Sequence, residues 1–343
     1  MLEKPDANAY IDDILLQPEC LRRLRMKDVV EAVEPVGRTI GRYKRVLLTG
    51  MGSSHAALRP LWLSLVEAGN PAWLVDAAEC LGHFTQLIDD ETFVIAASQS
   101  GRSAELVALS SAIKQRGGKT LAITNDKKSP LAQNADAVVD ICVGIENAVS
   151  TKTYLNTLGV CIALDRIFLG KDLDDSLERT ADALETYLES WKERTERLKD
   201  AIGLPERLYF LARGRSLAAA EYGALIVKEA AKWPVEAQSV PQFRHGPLEL
   251  ADERLTTIIF AGREMIARAQ NRALYTDLAS FGARSFWLDE QPDEGPLTIA
   301  TTDPDSRPLA EAVPLQLLSL AIAELSGIRP GSFRHLKKIT TVL

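Results

Sequence analysis

The sequence predicts an α/β protein of two tandem doubly wound domains, each a flavodoxin-like five-stranded parallel sheet, with N-terminal and linking helices. Three observations carry this. Short apolar strands alternate with helical stretches, as in parallel sheets covered on both faces. The chain has 343 residues, too many for one typical core and enough for two domains with connectors. The pattern also repeats: KRVLLTGMGSSHAALRPLWLSLVEAG, from Lys44, matches ERLYFLARGRSLAAAEYGALIVKEAA, from Glu206, in outline. An offset of 162 aligns Gly52 with Gly214 and Ser54 with Ser216.

Residues 1–35 read as a helical extension. Residues 36–170 form the first domain, with strands expected at Val46–Thr49, Ala72–Val75, Phe93–Ala97, Thr120–Thr124 and Ala137–Val143. Residues 171–203 read as one amphipathic linking helix, its apolar stripe formed by Leu177, Ala181, Leu184, Leu188, Trp191 and Leu198. Residues 204–343 form the second domain, where Thr256–Gly262 and Ser285–Glu290 correspond to Phe93–Ser98 and Thr120–Asn125. An amphipathic helix with Leu315, Leu318, Ile322 and Leu325 is expected to follow Pro314 and end at Gly327.

Composition is that of a globular protein, 46% hydrophobic and 25% charged. A net charge of −7 argues against broad nucleic-acid binding, which needs clustered Lys and Arg. It leaves room for one small phosphate. Cys20, Cys80, Cys142 and Cys161 lack metal-like spacing and read as free thiols of a reducing cytosol. The opening MLEKPDANAYIDDILLQPE is acidic where a signal peptide is apolar. No stretch approaches the ~18 uninterrupted apolar residues of a membrane span. A soluble, cytoplasmic protein is expected, with no metal and no organic cofactor.

SQSGRS, Ser98–Ser103, directly follows an apolar strand and precedes a helix. The carboxyl end of a strand opening onto a helix N-terminus is where doubly wound sheets bind ligands, and the unpaired N–H groups there suit an anion. Ser98, Ser100 and Ser103 add hydroxyls, and Gly101 lets the backbone approach closely. The alternative is a solvated turn with Ser103 as a helix cap. The loop has neither a Walker ending nor GxGxxG, so a single phosphate is the natural ligand. GMGSSHAA, Gly50–Ala57, is the first strand-to-helix turn, where Ser53 or Ser54 meets the same ligand or merely tightens the turn. In VSTKTYLN, Ser150 and Thr151 cap a helix or complete the phosphate cradle. Glu229, in GALIVKEAAKW, reads alone as a solvated helix charge. His245 precedes Gly-Pro in QFRHGPLEL; its side chain suits proton shuttling, although a lone His is more often structural. Lys337 and Lys338 lie near the chain end, where a Lys pair is usually solvated.

Together GMGSSHAA, SQSGRS, the ENAVSTK run, EYGALIVKEAAKWPVEA, FRHGPL, VPLQLLSLAIAELSG and LKKITTVL resemble the sugar isomerase (SIS) family. They are similar in particular to the isomerase half of the glucosamine-fructose-6-phosphate synthases. The matches run in the same order over nearly the whole chain, from Arg45 to Leu343. The resemblance implies two SIS domains and a phosphate site at Ser54, Ser98, Gln99, Ser100, Ser103 and Ser150. It implies that Glu229 carries a proton between C1 and C2 and that His245 helps open the sugar ring. It also implies that Lys338 closes over the sugar, and that His245 comes from the neighbouring subunit of a homodimer. Two positions depart from the synthases: Arg102 replaces a Glu, and Ile226 replaces a Lys one turn before the catalytic Glu. Both bear on which sugar is bound. The chain begins MLEKPDA without an N-terminal catalytic cysteine, so no glutaminase domain is expected within it.

The expected activity is therefore that of a phosphosugar isomerase or aminosugar-phosphate deaminase, working by acid–base proton transfer between C1 and C2. A fructosamine-6-phosphate deglycase is one alternative. A non-catalytic sugar-phosphate sensor is another, since a sensor needs only the phosphate cradle. Against the sensor, the chain keeps Glu229 and His245 and has no convincing helix-turn-helix before Arg45.

Overall fold

The computed structural model describes residues 9–290 and 295–335. Lys337 and Lys338 lie outside the described residues. The chain divides into two compact units.

One unit holds Glu19–Glu146, Lys152–Leu177 and His335. Its sheet is built from β1 (Arg45–Gly50), β2 (Ala72–Asp76), β3 (Thr92–Ala97), β4 (Lys119–Thr124) and β5 (Ala137–Asp140). The strands are all parallel, in the order β2-β1-β3-β4-β5. Every residue of β3 is buried, which is why TFVIAA reads as an unbroken apolar run rather than an alternation. One face of the sheet packs Leu47, Val94, Ala96 and Ala122 against Leu106, Leu109 and Ile113 of the helix Ala104–Gln115. β5 ends three residues before the expected Val143. Asp140 Oδ1 accepts the Cys142 N–H at 2.8 Å, and Cys142 adopts a left-handed φ of 56°, so the chain turns off the sheet there.

The other unit holds the described residues up to Pro18, together with Asn147–Thr151 and Glu178–Arg334. Its strands are β6 (Arg207–Ala212), β7 (Glu236–Ser239), β8 (Leu255–Phe260) and β9 (Arg284–Leu288). Their parallel order, β7-β6-β8-β9, follows the same scheme as β2-β1-β3-β4. Among the described residues this sheet has four strands, not the expected five. Where a fifth would pair, the chain makes a single parallel bridge, Asp289 with Thr298, and Pro304 soon opens a turn of 3₁₀ helix.

Two helix expectations need correction. Residues 171–203 contain two helices, Ser176–Glu189 and Trp191–Ile202, broken at Ser190. In a continuous helix the Tyr187 carbonyl would accept the Trp191 N–H. Here it accepts Arg194 Nε at 3.1 Å instead, and the Arg194 guanidinium stacks 3.7 Å from the centre of the Tyr187 ring. Leu177, Ala181, Leu184, Leu188 and Leu198 are buried as expected, whereas Trp191 is only half-buried.

The last helix runs Arg307–Leu325, so Pro314 lies inside it rather than before it. It is buried all round from Arg307 to Ala323, which makes it a core helix and not an amphipathic one. By length and composition alone Pro304–Leu325 would suit a membrane span, but 89% of its most apolar window is buried in the protein. It packs against the helix Leu217–Ala231, and Gly223 allows the approach: a Cβ there would meet Leu315 Cδ1 at 2.3 Å. The helix ends as expected near Gly327, where the Ile328 N–H returns to the Ala323 carbonyl at 2.8 Å.

Candidate active site

The order β2-β1-β3-β4-β5 reverses between β1 and β3, so the loops leaving those strands diverge and open a crevice at the carboxyl edge. β1 and β3 pair in register, Gly50 opposite Ala97. Ser54, 7% exposed, therefore begins its helix beside the strand end that leads to Ser98.

The Ser98–Ser103 loop is tightly built. Ser98 is 4% exposed and continues the sheet, its N–H bonded to the Ile123 carbonyl at 3.0 Å. The Gly101 N–H donates to Ser98 Oγ at 3.1 Å, and Ser98 Oγ lies 3.3 Å from Ser103 Oγ. Accepting from Gly101 leaves the Ser98 hydroxyl hydrogen for Ser103 or for a ligand oxygen. The Arg102 N–H donates to Ser100 Oγ at 3.2 Å. The Gln99 carbonyl accepts from Thr124 Oγ1 and from the Asn125 N–H, which ties the loop to the end of β4. Gly101 has φ +59° and its carbonyl takes the Leu131 N–H at 3.1 Å. Ser103 precedes the helix Ala104–Gln115 but makes no side-chain cap bond to it. The alternative of Ser103 as an ordinary cap is therefore not what its side chain does. Three hydroxyls at a twelve-residue helix start suit a phosphate-sized anion.

Arg102 points its charge elsewhere. Its Nη2 lies 2.7 Å from Asp126 Oδ2, and that hydrogen bond holds the Asp126 carboxyl below the usual range. The pairing escaped the sequence reading because Asp126 is twenty-four residues away.

Ser150 belongs to the other compact unit. Its carbonyl accepts the Tyr222 hydroxyl at 2.9 Å, and Gln316 Nε2 donates to that hydroxyl at 2.9 Å. The Asn147 and Ala148 N–H groups just before it donate to the buried Asp13 carboxylate at 2.9 and 3.1 Å. Neither Tyr222 nor Asp13 had a local signal that sequence reasoning could use.

Glu229 is half-buried in the last turn of the helix Leu217–Ala231. That turn sits where β7 begins, as the Lys228–Glu236 ion pair at 3.7 Å marks. His245 is exposed and follows the far end of β7, after the short helix Val240–Phe243. The two therefore stand at opposite edges of one sheet. Ile226, one turn before Glu229, is 1% exposed and packs as core.

The carboxyl edge of this second sheet is filled from within. Ser216, the residue aligned with Ser54, donates from Oγ to Glu311 Oε1 at 2.9 Å. Arg307 Nε donates to the same oxygen at 2.8 Å and Arg307 Nη2 to Asp289 Oδ1 at 2.9 Å. Arg268 bonds the other Asp289 oxygen. Burial pushes Glu311 up in pKa, against the pull of Arg307. A buried carboxylate thus faces Ser216 at this sheet edge. The thiols are not candidates for nucleophiles: burial raises all four, Cys80 to about 11.

Against known proteins, the SIS domain model matches residues 40–164 and 204–276, more than half of the chain. Glutamine–fructose-6-phosphate aminotransferase [isomerizing] of Thermococcus kodakarensis is 30% identical over 335 residues, covering 91% of this chain and 54% of that protein. The enzyme of the same name from Pyrococcus horikoshii is 28% identical, covering 99% of this chain and 59% of that protein. The chain thus spans a little over half the length of these relatives. Among solved structures, glucosamine-6-phosphate deaminase of Thermotoga maritima superposes with a TM-score of 0.78 at 21% identity, covering 96% of this chain and 99% of that one. Tagatose-6-phosphate ketose/aldose isomerase of Escherichia coli superposes at 0.80 with 20% identity, covering 94% of each chain. At those identities the likeness speaks for the fold.

Proposed function

The chain belongs to the SIS domain family, and from that premise we propose that it is an enzyme acting on an amino-sugar or ketose 6-phosphate. It moves a proton between C1 and C2 of the open-chain sugar, as a phosphosugar isomerase or deaminase with two tandem SIS domains. The observation that carries this reading is the Ser98–Gly101–Ser103 loop, a hydroxyl-lined turn with an uncapped helix start at the topological switch point. Ser54, Gln99, Ser100 and Ser150 complete the proposed phosphate site. Phosphate binding supplies remote binding energy that orients the reacting end. Glu229 then takes the proton from one carbon and returns it to the next, help worth roughly 10²–10⁴-fold. His245 assists ring opening, and Lys338 closes over the sugar.

The separation of Glu229 and His245 along β7 favours supply of His245 by a second copy of the chain. A homodimer is therefore part of the proposal.

The test is solvent deuterium incorporation at C1 and C2 in a panel of hexose 6-phosphates, followed by NMR. Ammonia release from glucosamine 6-phosphate and lysine release from fructoselysine 6-phosphate are assayed alongside. The expected result is exchange or ammonia release in the wild type, reduced at least a hundredfold in Glu229→Gln with sugar-phosphate binding kept within a few-fold. Lysine release would point to the deglycase. Tight binding without exchange or turnover, unaffected by Glu229→Gln, would leave a sensor and sink the enzyme.

A further inference from the structure

Lys232 ends the Glu229 helix, and it does so in an unusual way. Its backbone is left-handed, with φ 57°, a conformation strained for a non-glycine residue. Its own N–H still closes the helix on the Lys228 carbonyl at 3.1 Å. A glycine would cap the helix with less strain, so the side chain needs a reason to be there. The half-buried ammonium donates to two backbone carbonyls, Glu229 in its own helix and Ser332 a hundred residues on. Next to that second contact, the Gly331 N–H donates to the Ala230 carbonyl at 3.3 Å. The turn has little slack on its other side: a Cβ at Gly331 would meet Tyr10 Cβ at 2.8 Å and Ala148 Cβ at 3.2 Å. Ala148, two residues before Ser150, is in turn held by Asp13. The terminal carbonyls of a helix are normally left to water or to a cap; here Ala230 and Glu229 are both spent on holding this turn.

We infer that Lys232 is a positioning residue: its ammonium pins the Gly331–Ser332 turn onto the last turn of the helix that carries Glu229. The pin fixes where the Glu229 carboxylate stands and where the chain toward Lys338 sets out. The inference rests on the reading of Glu229 as the base, and no motif in the sequence marks Lys232. Burial and the charge of Arg334 lower the Lys232 pKa, opposed by Glu229.

The experiment compares Lys232→Gly with Lys232→Met in the full chain. Glycine relieves the left-handed backbone, so Lys232→Gly folds and melts at or above the wild-type temperature; methionine keeps the strain and the stem but loses the ammonium. In both variants, amide exchange in peptides spanning residues 326–335 is expected to quicken at least tenfold. With glucosamine 6-phosphate, or whichever hexose 6-phosphate the wild type turns over, kcat is expected to fall at least tenfold while KM moves less than threefold. Unchanged exchange in Lys232→Gly overturns the pin. Faster exchange with a smaller fall in kcat, or a fall confined to the less stable Lys232→Met, overturns the positioning role. A wild type that turns over no sugar phosphate sinks the proposed function instead, and the exchange rate then decides the pin alone.

Discussion

A methyl group added at Gly101 would lie 2.0 Å from Ser129 Oγ and 2.5 Å from Ser129 Cβ. Ser129 cannot easily retreat, because its Oγ caps the next short helix through the Ala132 N–H at 3.3 Å. Gly101 also has a left-handed backbone, so Gly101→Ala meets strain twice. Its expected cost is about 2–6 kcal/mol in urea denaturation, the sum of a strained φ and an overpacked contact. Because the Gly101 N–H holds Ser98 Oγ, the same variant should weaken binding of glucosamine 6-phosphate in calorimetry; unaltered affinity would remove the loop from the phosphate site. At this scale the serines and the glycine were legible in the sequence, since they crowd into six residues at a strand end. Arg102 with Asp126, Ser150 with Tyr222, and the left-handed Lys232 were not. Each depends on a partner far along the chain or on a backbone angle that Lys rarely adopts.

Most strands were legible as short apolar runs bounded by turn residues; β5 stops short at the left-handed Cys142, and β7 is the polar, partly exposed EAQS, which carries no such signal. The helices were misjudged where a tertiary contact outweighs periodicity. Arg194 takes the carbonyl that would have carried the linking helix through Ser190, and burial on all sides holds Arg307–Leu325 together across Pro314. The buried charges that open that last helix give a pH prediction. Burial alone would raise Asp289, but the hydrogen bonds from Arg268 and Arg307 outweigh it and hold its pKa at about 2. A depressed carboxylate contributes stability above its unfolded pKa of about 4, and that stability is lost as pH falls toward about 2. Asp289→Asn should therefore be less stable than wild type at pH 7, with the gap in urea midpoint closing as pH falls from about 4 to about 2. A gap that stays constant across that window would mean Asp289 contributes packing rather than charge.

At the scale of the whole molecule, the repeat at Lys44 and Glu206 pointed to sheets of like strand order, and both sheets have it. No local pattern revealed which distant stretches each sheet recruits. The unit built on β6–β9 also takes in residues 9–18 and Asn147–Thr151. The Tyr10 hydroxyl lies 2.7 Å from Ser319 Oγ, and Gln17 and Gln316 exchange amide hydrogen bonds at 2.8 Å. Tyr10 and Ile14 are each 1% exposed, and each such side chain contributes roughly 1.5–3 kcal/mol by burial. The helix Trp191–Ile202 packs on Arg307–Leu325 as well, burying Leu198 and Ile202. A fragment of residues 204–343 would lose all four apolar side chains, comparable in sum to the roughly 5–15 kcal/mol that holds a typical domain folded. It would also leave Gln316 and Ser319 short of partners in the core. Such a fragment is expected to show helical far-UV circular dichroism without a cooperative melt or near-UV signal, whereas the intact chain melts cooperatively. A fragment that melts cooperatively within a few degrees of the intact protein would mean that the second sheet and its own helices suffice, and that the recruited segments add position rather than stability.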